Sequence, residues 1–299
     1  MRPSGGGAGV ISTKEEIRVT PLARRLARGA KLDLSAVSGS GPAGRITRSD
    51  VLTELASKSR PKGRLTVEWL GRVAYAEALE IQMQGLEARH LGRAPDRLLL
   101  LEHPPVVTLG RGAREENLLA SGESLARRGV EVHRVARGGD VTYHAPGQLI
   151  GYLIADLAAG GAPDVHAFVR SMELALVEAL ERLSVPALCI EGMTGVFIDR
   201  SRAARSGSRS GGEPPKPVPG GAEPERKIAS IGIGVRRWVT YHGFALNVNL
   251  DLAGFDAIVP CGLHGVEMTS VARELGSPDL VLDSRVREVV AGAFRERFR

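Results

Sequence analysis

Cys261 and Lys227 are candidates for a nucleophile and the cation or base that activates it. Cys261 lies in the segment Val259–Leu263, where Pro260 and Gly262 hold it in a bend after an apolar strand. A thiol is mostly protonated at neutral pH, so a nucleophilic cysteine needs a cation or a base nearby. Lys227, which starts Lys-Ile-Ala-Ser-Ile-Gly, is the candidate, although a lone lysine at the start of a strand is usually solvated. Spacing alone does not prove the pair.

The stretch Arg137–Gln148 has the composition of a substrate-binding loop. It reads Arg-Gly-Gly-Asp-Val-Thr-Tyr-His-Ala-Pro-Gly-Gln and stands between two apolar segments. Gly138 and Gly139 let the main chain approach a ligand closely, and Pro146-Gly147 favours a tight turn. A polar hairpin connection without chemistry is the alternative that this composition leaves open.

The other reactive side chains indicate no second chemistry. Cys189, between Leu188 and Ile190, fits a buried small hydrophobe. The seven histidines lack the spacing of a zinc site, so no metal is expected, and the sequence has no phosphate-binding loop. The tetrapeptide Val-Thr-Tyr-His occurs twice, ending once at His144 and once at His242. Because the flanking residues differ, we interpret the repeat as a coincidence at two strand-to-loop exits.

Composition is that of an ordinary soluble chain. Of 299 residues, 43% are hydrophobic and 25% charged, which suffices to bury a core. No apolar run approaches the roughly 20 residues of a membrane span, and the Gly-rich start does not have the apolar core of a signal peptide. With only two cysteines, a structural disulfide is not required, and we expect a cytoplasmic location.

The net charge of +6 is unevenly distributed. Residues 1–62 hold 12 Lys/Arg and 5 Asp/Glu, whereas the rest of the chain holds 28 and 29. The basic character therefore belongs to a small N-terminal unit. A cluster of this size suits an acidic protein surface as well as a nucleic acid, so the charge alone does not identify the partner.

The N-terminal part is predicted to be a small all-α domain. Residues 1–18 are expected to be disordered, 19–57 to form the domain and 58–64 to be a linker. Thr20 and Pro21 have the residue types of an N-cap and a first helical position, which predicts a helix over Leu22–Ala30. A second helix is predicted over Thr47–Ala56.

Residues 65–299 alternate strands and helices, which predicts a mixed α/β domain. Residues 201–226 are rich in Arg, Ser, Gly and Pro and have too few large apolar side chains to fold, so we expect a disordered insertion there. Helices are predicted over Val73–His90, Asp164–Leu183 with Asp164 as N-cap, and Val286–Arg297. Strands are predicted over Arg97–Leu101, Val106–Leu109, Val130–Val135, Leu149–Ala155, Gly195–Asp199, Ile228–Val235, Trp238–Thr240 and Phe244–Asn249.

Four motifs in this part together resemble the lipoyl(octanoyl)transferase family. They are Arg137-Gly-Gly…Thr-Tyr-His…Pro-Gly-Gln148, Lys227-Ile-Ala-Ser-Ile-Gly232, His242-Gly-Phe-Ala-Leu-Asn247 and Pro260-Cys-Gly262. The resemblance covers roughly residues 65–299. It implies the mixed α/β fold shared with biotin and lipoate protein ligases.

The family resemblance also implies a reaction. Members move an octanoyl group from acyl carrier protein, through a cysteine thioester, to a lysine of apo lipoyl domains in 2-oxo acid dehydrogenases and of the glycine cleavage H protein. Cys261 would be the nucleophile and Lys227 the residue that activates it and handles protons. No cofactor is implied, since one thioester replaces another. The implied substrate-binding residues are Arg137, Gly138, Gly139, Asp140, Val141, Thr142, Tyr143, His144, Ser230, Ile231, Gly232, Gly243, Phe244 and Ala245.

Three details of the resemblance can be tested only with the three-dimensional structure. Ala145 stands where the family usually has glycine, which is compatible only with a negative φ. The insertion directly precedes Lys227, so the lysine must be held by its own strand. Backbone N–H groups near Gly262 are candidates to stabilise the oxyanion of the reaction.

The N-terminal unit resembles the peripheral subunit-binding domain of dihydrolipoamide acyltransferases. The resemblance rests on Thr-Pro-Leu-Ala-Arg-Arg-Leu-Ala-Arg28 and Gly-Ser-Gly-Pro-Ala-Gly-Arg-Ile-Thr47. It implies docking to dihydrolipoamide dehydrogenase or to the decarboxylase component through arginines, here Arg24, Arg28 and Arg45. A basic helix pair that binds nucleic acid or nothing is the alternative.

The sequence therefore predicts an octanoyltransferase with a docking module, and neither a nucleic acid nor a membrane as a partner. Two alternatives remain open. One is an ATP-dependent lipoate or biotin protein ligase of the same fold, against which Cys261 argues. The other is a non-catalytic scaffold, against which the presence of both Lys227 and Cys261 argues.

Overall fold

The computed structural model describes residues 18–30, 32–48, 50–51, 54, 65–160, 163–203, 225–263, 265–277, 280–282 and 284–298. The chain divides into two compact units, residues 1–60 and 61–299. Three predicted segments lie wholly or largely outside the described residues. They are the disordered start (1–18), the linker (58–64) and the insertion (201–226).

The N-terminal unit is built on the helix Pro21–Gly29. Thr20 is its N-cap, because its Oγ1 accepts a hydrogen bond from the N–H of Ala23 at 3.3 Å. Pro21 fills the first turn, where an N–H has no helical partner anyway. Two 3-10 turns follow, Leu34–Ala36 and Pro42–Gly44. The unit is helical, as predicted, and the buried apolar residues among those described are Ala23, Ala27, Leu32, Ile46 and Val51. The second predicted helix, Thr47–Ala56, lies partly outside the described residues.

Asp50 joins separate parts of this unit. Its carboxylate accepts hydrogen bonds from the N–H and hydroxyl of Ser40, at 3.0 and 2.6 Å, and from the N–H of Thr47 at 2.7 Å. Desolvation raises the pKa of Asp50, but these hydrogen bonds outweigh it and lower the pKa to about 2. A unit of this size depends strongly on such a bridge.

The described residues of the second unit form eleven strands, which make two sheets. The large sheet has the order β1-β2-β6-β10-β9-β8-β7, with β11 paired to β9, and the small sheet has the order β4-β3-β5. Both sheets mix parallel and antiparallel pairs. The strands are β1 (Thr66–Arg72), β2 (Arg97–Glu102), β3 (Val106–Leu109), β4 (Glu131–Arg134), β5 (Val141–His144), β6 (Gln148–Ile154), β7 (Ala187–Ile190), β8 (Met193–Ile198), β9 (Glu225–Arg236), β10 (Val239–Asn247) and β11 (Val266–Met268).

Helices cover both faces of the large sheet. Leu98 of β2 packs in a cluster with the helices Val165–Arg182 and Ser284–Arg297, and Leu99 packs in a cluster with the helix Tyr75–His90. Because side chains alternate along a strand, the uninterrupted leucines of β2 require a buried partner on each side. Among the described residues, no helix combines the length and hydropathy needed to cross a membrane. Shorter helices are Gly122–Arg127, Arg200–Ala203 and Val271–Glu274.

Two predicted elements that border the candidate active site differ from the structure. Part of the predicted loop Arg137–Gln148 is strand β5, so the segment is not one continuous loop. The two strands predicted around His242 are a single strand, β10. His242 stays within that strand at φ 59° because its N–H donates to Oε1 of Gln82 at 2.7 Å. Its placement at a loop exit was therefore wrong.

Regular elements also reach into the two ends of the predicted insertion. The helix Arg200–Ala203 occupies its first residues, and β9 begins at Glu225, before its predicted end. Lys227 is thus the third residue of a strand and not the first residue after a loop. Pairing extends this strand beyond the sequence pattern, which predicted it only from Ile228.

The bridge made by Asp50 generates a prediction. The Asp50→Asn variant should destabilise the N-terminal unit by about 1–2 kcal/mol, since it loses charge-assisted hydrogen bonds. Because the folded pKa is depressed, the stabilisation is present above the ordinary value of 3.8 and is lost as the pH falls towards about 2. Hydrogen exchange of peptides from residues 18–51, measured on the full chain, reports the change.

Asp33→Asn is the matched control for this prediction. The Asp33 carboxylate caps a local turn through the N–H of Ser35 at 3.0 Å, so it joins no distant segments through that bond. Equal effects of the two variants on exchange would contradict the bridging role of Asp50.

Candidate active site

Cys261 lies at the tip of a strained turn. It has φ 57° inside the 3-10 turn Pro260–Gly262, a conformation that non-glycine residues rarely adopt. The next residue, Gly262, has φ 64°, and a Cβ there would lie 2.6 Å from Oδ2 of Asp140. The Cys261 thiol is half-buried. The turn therefore presents the sulfur from a backbone that its surroundings must hold in place.

Asp140 lies beside this turn. Its Oδ2 accepts a hydrogen bond from Nδ2 of Asn117 at 2.5 Å, and its Oδ1 accepts from the N–H of Val141 at 2.7 Å. A third bond comes from the N–H of Arg114 at 3.2 Å. The carboxylate borders the site, but its hydrogen bonds connect protein segments around the cysteine turn.

Lys227 is buried beside the sulfur. Its side chain is 1% exposed, and Nζ lies 3.4 Å from Sγ of Cys261. Nζ also donates to the carbonyl of Thr194 at 2.9 Å and stands 5.5 Å from the centre of the Phe197 ring. A buried amine needs partners of this kind in place of water. The structure thus brings together the two residues whose contact the spacing could not prove.

The main chain of Lys227 is held on two sides. In β9 it pairs with Phe197 of β8 and with Met268 of β11, and its carbonyl accepts the N–H of Thr269 at 2.9 Å. The lysine is therefore positioned by its strand, as the adjacent insertion requires. Gly195 leaves room for its side chain, because a Cβ there would lie 2.6 Å from Cε of Lys227.

Arg137 contributes a buried guanidinium to the site. It is 8% exposed and donates to Oγ1 and to the carbonyl of Thr108, each at 2.8 Å, and to the carbonyl of Gly138 at 3.0 Å. Burial lowers the pKa of Arg137, and Cys261 is the strongest of the negative neighbours that oppose this shift. The hydrogen-bond partners of this cation are neutral, so its positive charge is not cancelled by a directly bonded carboxylate.

A chain of hydrogen bonds orients His144. Nδ2 of Asn247 donates to the carbonyl of Thr269 at 2.8 Å, so Oδ1 of Asn247 accepts from Nε2 of Gln148 at 2.8 Å. Oε1 of Gln148 then accepts the Nδ1 proton of His144 at 2.7 Å. The ring therefore presents an unprotonated Nε2 towards Oγ1 of Thr108, 3.5 Å away. Desolvation lowers the pKa of His144 to about 3, so the ring is neutral at neutral pH.

Two tyrosines and two histidines form what we call the aromatic end of the site: Tyr75, His103, Tyr152 and His242. The hydroxyl of Tyr152 donates to Nε2 of His103 at 2.7 Å, and Nδ1 of His103 donates to the carbonyl of Val73 at 2.7 Å. Desolvation lowers the pKa of His103 to about 4 and that of His242 to about 3. The aromatic end is therefore uncharged at neutral pH.

These groups enclose one cavity of about 230 Å³. Its walls combine Lys227 and Cys261 with the apolar and backbone surfaces of β9 and β10. Most of the residues predicted to bind substrate line it: Arg137, Gly139, Asp140, Thr142, His144, Ser230, Ile231, Gly232, Gly243, Phe244 and Ala245. Oγ of Ser230 lies 3.7 Å from Sγ of Cys261.

Three predicted substrate-binding residues are placed elsewhere. Val141 and Tyr143 pack in the hydrophobic cluster behind β5, because a strand sends alternate side chains to opposite faces. Gly138 is absent from the cavity lining, and its N–H donates to the carbonyl of Ile233 at 2.8 Å. Ala145 is 5% exposed in the same cluster and is not a residue with positive φ, so the departure from glycine there is sterically compatible.

The expected oxyanion donors are also engaged elsewhere. The N–H of Gly262 donates to the carbonyl of Val259, and that of Leu263 to the carbonyl of Pro260, both at 3.1 Å. These bonds close the cysteine turn. The proposal that backbone N–H groups next to Gly262 receive the oxyanion is therefore not supported, whereas Arg137 is a nearby cation.

Sequence reasoning missed Tyr75, Thr108, Tyr152 and His242, all of which line the cavity. For His242 two signals were available, its place at the start of the motif His242–Asn247 and the repeated Val-Thr-Tyr-His, which we interpreted as a coincidence. The structure brings the histidines of both copies to the same cavity. The tyrosines and Thr108 carried no pattern that distinguished them from core residues.

Two family models match the chain. The model described as lipoyl protein ligase A/B catalytic domain matches residues 74–295, and the e3 binding domain matches residues 17–52. An octanoyltransferase from Acidobacterium capsulatum is 46% identical over 221 residues, which are 72% of this chain and 82% of that protein. One from Geobacter metallireducens is 42% identical over 225 residues, 75% and 89% of the two chains. The chain belongs to the octanoyltransferase family.

Solved structures agree with this family at the level of the fold. A bipartite lipoate protein ligase from Thermoplasma acidophilum has a TM-score of 0.53 at 18% identity and covers 79% of this chain and 83% of its own. The lipoate complex of LipL1 from P. falciparum has a TM-score of 0.53 at 10% identity, covering 78% and 60%. The predicted mixed α/β ligase-like fold is confirmed. Octanoyltransferase membership confirms the resemblance drawn from the four motifs and makes the chain a transferase enzyme.

The space beside Lys227 generates a prediction. In Gly195→Ala the new methyl group would lie 2.6 Å from both Cε of Lys227 and the carbonyl oxygen of Ala229, so it should displace the lysine from the sulfur. We expect iodoacetamide to alkylate Cys261 at least about tenfold more slowly, since thiolate character depends on the neighbouring cation or base. Peptide mass spectrometry measures the rate, with Cys189 as an internal reference.

Gly192→Ala is the matched control. It also has a positive φ, 79°, but a Cβ there has no atom within 4 Å. Backbone strain without displacement of Lys227 should leave the alkylation rate of Cys261 near that of the unchanged chain. Equal rates in the two variants would show that contact with Lys227 does not control the thiol.

Proposed function

We propose that this chain transfers an octanoyl group from octanoyl-acyl carrier protein to a lysine of apo lipoyl domains, through a thioester on Cys261. The observation that carries the proposal is the 3.4 Å contact between Nζ of Lys227 and Sγ of Cys261 at the wall of a cavity, in a member of the octanoyltransferase family. The acceptors would be the lipoyl domains of 2-oxo acid dehydrogenases and the glycine cleavage H protein.

The first step forms the acyl-enzyme. The Cys261 thiolate attacks the carbonyl carbon of the donor thioester, and the bond from that carbon to the carrier sulfur breaks. The departing carrier thiolate takes a proton from Lys227, so a neutral carrier thiol leaves. One thioester replaces another, which explains why this step needs no nucleotide to activate the acid.

The second step releases the octanoyl group to the acceptor. The lysine amine of the lipoyl domain attacks the Cys261 thioester, and its proton passes to Lys227 as the amide bond forms and the carbon–sulfur bond breaks. The Cys261 thiolate is regenerated beside a protonated lysine, ready for the next donor. General base catalysis is required here because an amine nucleophile must lose a proton to form a neutral amide.

Arg137 supports the charged species in both steps. Its guanidinium is buried and held by Thr108, so it cannot turn away to solvent. A fixed cation in a low-dielectric site stabilises a thiolate and a developing oxyanion more than the same charge would in water. Neutral His144 and the neutral aromatic end leave the rest of the cavity compatible with a hydrocarbon chain.

Intact-protein mass spectrometry tests the covalent intermediate. After incubation with octanoyl-acyl carrier protein, the chain should gain one octanoyl mass on Cys261, and an apo lipoyl domain added second should remove it. Cys261→Ser should lose transfer to the lipoyl domain by at least about a thousandfold, as expected when a covalent nucleophile is removed.

Cys189→Ser is the control for this experiment, because Cys189 is the other thiol and is absent from the cavity lining. We expect it to load and transfer normally. Transfer by Cys261→Ser at the rate of the unchanged chain would overturn the mechanism. A strict requirement for ATP would indicate a ligase instead, and no adduct on any variant would favour a scaffold.

We further propose that the N-terminal unit docks the transferase to a 2-oxo acid dehydrogenase complex, through dihydrolipoamide dehydrogenase or the decarboxylase component. Arg24 and Arg28 are exposed one turn apart on the helix Pro21–Gly29. The bridge between Val19 and Ile46 brings exposed Arg45 next to the start of that helix. Three arginines on one small unit suit an acidic partner surface. Tethering would raise the local concentration of acceptor lipoyl domains.

Charge reversal tests the docking proposal. Arg24→Glu, Arg28→Glu and Arg45→Glu should each weaken co-elution with dihydrolipoamide dehydrogenase or the decarboxylase component by about tenfold or more, and added salt should weaken it for the unchanged chain. Arg25→Glu makes the same charge change on the same helix but on a different face, so it should have a smaller effect. Binding that resists both salt and the three reversals would contradict arginine-mediated docking.

A further inference from the structure

A single aromatic side chain separates the active-site cavity from a second cleft. Tyr75 lines the cavity that contains Cys261, and it also lines a surface cleft of about 510 Å³. In the part of the chain that the structure describes, it is the one residue common to both linings. The Tyr75 ring is therefore a partition one side chain thick.

This partition is held firmly. Tyr75 is the first residue of the helix Tyr75–His90 and is 3% exposed. Its ring packs against those of His103 and His133, with centroids 5.4 and 5.0 Å away. Both histidines are anchored in turn, His103 by two hydrogen bonds at 2.7 Å and His133 by Glu131 at 2.8 Å. The ring cannot swing aside without disturbing these contacts.

Tyr75 and Cys261 belong to opposite ends of the cavity. β9 runs from Ser230, whose Oγ lies 3.7 Å from the sulfur, to Ile233, three residues or roughly 10 Å further on. His242 pairs with Ile233 and so marks the far end. The aromatic end is continuous from there, because Tyr152 contacts both His242 and His103 and the latter contacts Tyr75. An acyl chain bound to the sulfur would extend towards this end.

The cleft beyond the partition has the chemistry to hold more hydrocarbon. Ala76, Leu79 and Met83 contribute an apolar floor, and exposed Glu80 and Gln84 form its polar rim. Leu79 and Met83 are half-buried along one face of the helix. Without the Tyr75 ring, the cavity and this floor would be one continuous channel.

We propose that Tyr75 is a specificity-determining residue that closes the acyl site and sets the longest acyl chain that Cys261 accepts. The inference rests on the proposed transfer of an acyl group through Cys261. A longer chain must either fold back or displace a buried ring from its contacts with His103 and His133. The Tyr75 ring thereby limits the length of the acyl chain, because the additional methylene groups of a longer chain have no apolar surface to contact.

Competition between acyl donors tests the role of the ring. Equimolar octanoyl- and dodecanoyl-acyl carrier protein are mixed with the full chain, and intact mass identifies the adduct on Cys261. The unchanged chain should carry mainly the octanoyl group. In Tyr75→Ala the ratio of dodecanoyl to octanoyl adduct should rise at least about tenfold, since several added methylenes gain an apolar surface.

Two further variants separate the ring from other effects of the substitution. Tyr75→Phe keeps the ring and removes the hydroxyl, so its adduct ratio should stay near that of the unchanged chain. Adding Leu79→Trp to Tyr75→Ala refills the cleft from its outer side, and the ratio should return towards the original value. Leu79→Trp alone should load octanoate normally, because Leu79 is absent from the cavity lining.

The outcomes discriminate between the claims. A folded Tyr75→Ala variant that loads octanoate but keeps the original ratio would overturn the inference, as would an equal shift in Tyr75→Phe. If circular dichroism shows that Tyr75→Ala is unfolded, Tyr75→Leu, which also removes the ring, is interpreted in the same way. No octanoyl adduct on the unchanged chain would instead overturn the proposed function itself.

Discussion

A buried amine beside a thiol is the constraint on which the rest of this site depends. Nζ of Lys227 is buried and contacts the Thr194 carbonyl, the Phe197 ring and Sγ of Cys261 in place of water. Such a group is stable only where its partners are fixed. The large sheet fixes one side through the pairing of β9, and the turn Pro260–Gly262 fixes the other. The strained φ of Cys261 occurs where the turn packs beside Asp140 and where the N–H of Val259 donates to the carbonyl of Asn117.

The cavity combines several buried polar groups with little charge. His103, His144 and His242 all have lowered pKa values, so they add no cations at neutral pH. The rings of His103 and His144 also make hydrogen bonds. Lys227 and Arg137 are instead positioned near the sulfur, where charge develops during acyl transfer. This separation suits a substrate that is polar at its thioester and apolar along its chain. Under the proposed function, one cavity could therefore hold both parts of an acyl thioester.

The two units of the chain address different physical problems. The larger one forms the cavity in which Lys227 and Cys261 meet. The N-terminal one is held together in part by the Asp50 bridge, and its helix presents Arg24 and Arg28 at the surface. Under the proposed function, joining the two would convert a search for dilute lipoyl domains into a local encounter.

The sequence by itself determined the residue types, their order and the fold class. The motifs around Cys261 and Lys227 indicated the family, and Thr20 and Asp164 predicted helix starts that the structure confirms, because caps and turns depend on local backbone chemistry. Only the tertiary structure decided which side chains share the cavity. Because side chains alternate along a strand, Val141 and Tyr143 lie in the core. Packing of segments far apart in the chain brings Tyr75 and His242 to the cavity that Arg137 also lines. These placements depend on contacts far apart in the chain, which no local pattern of residues encodes.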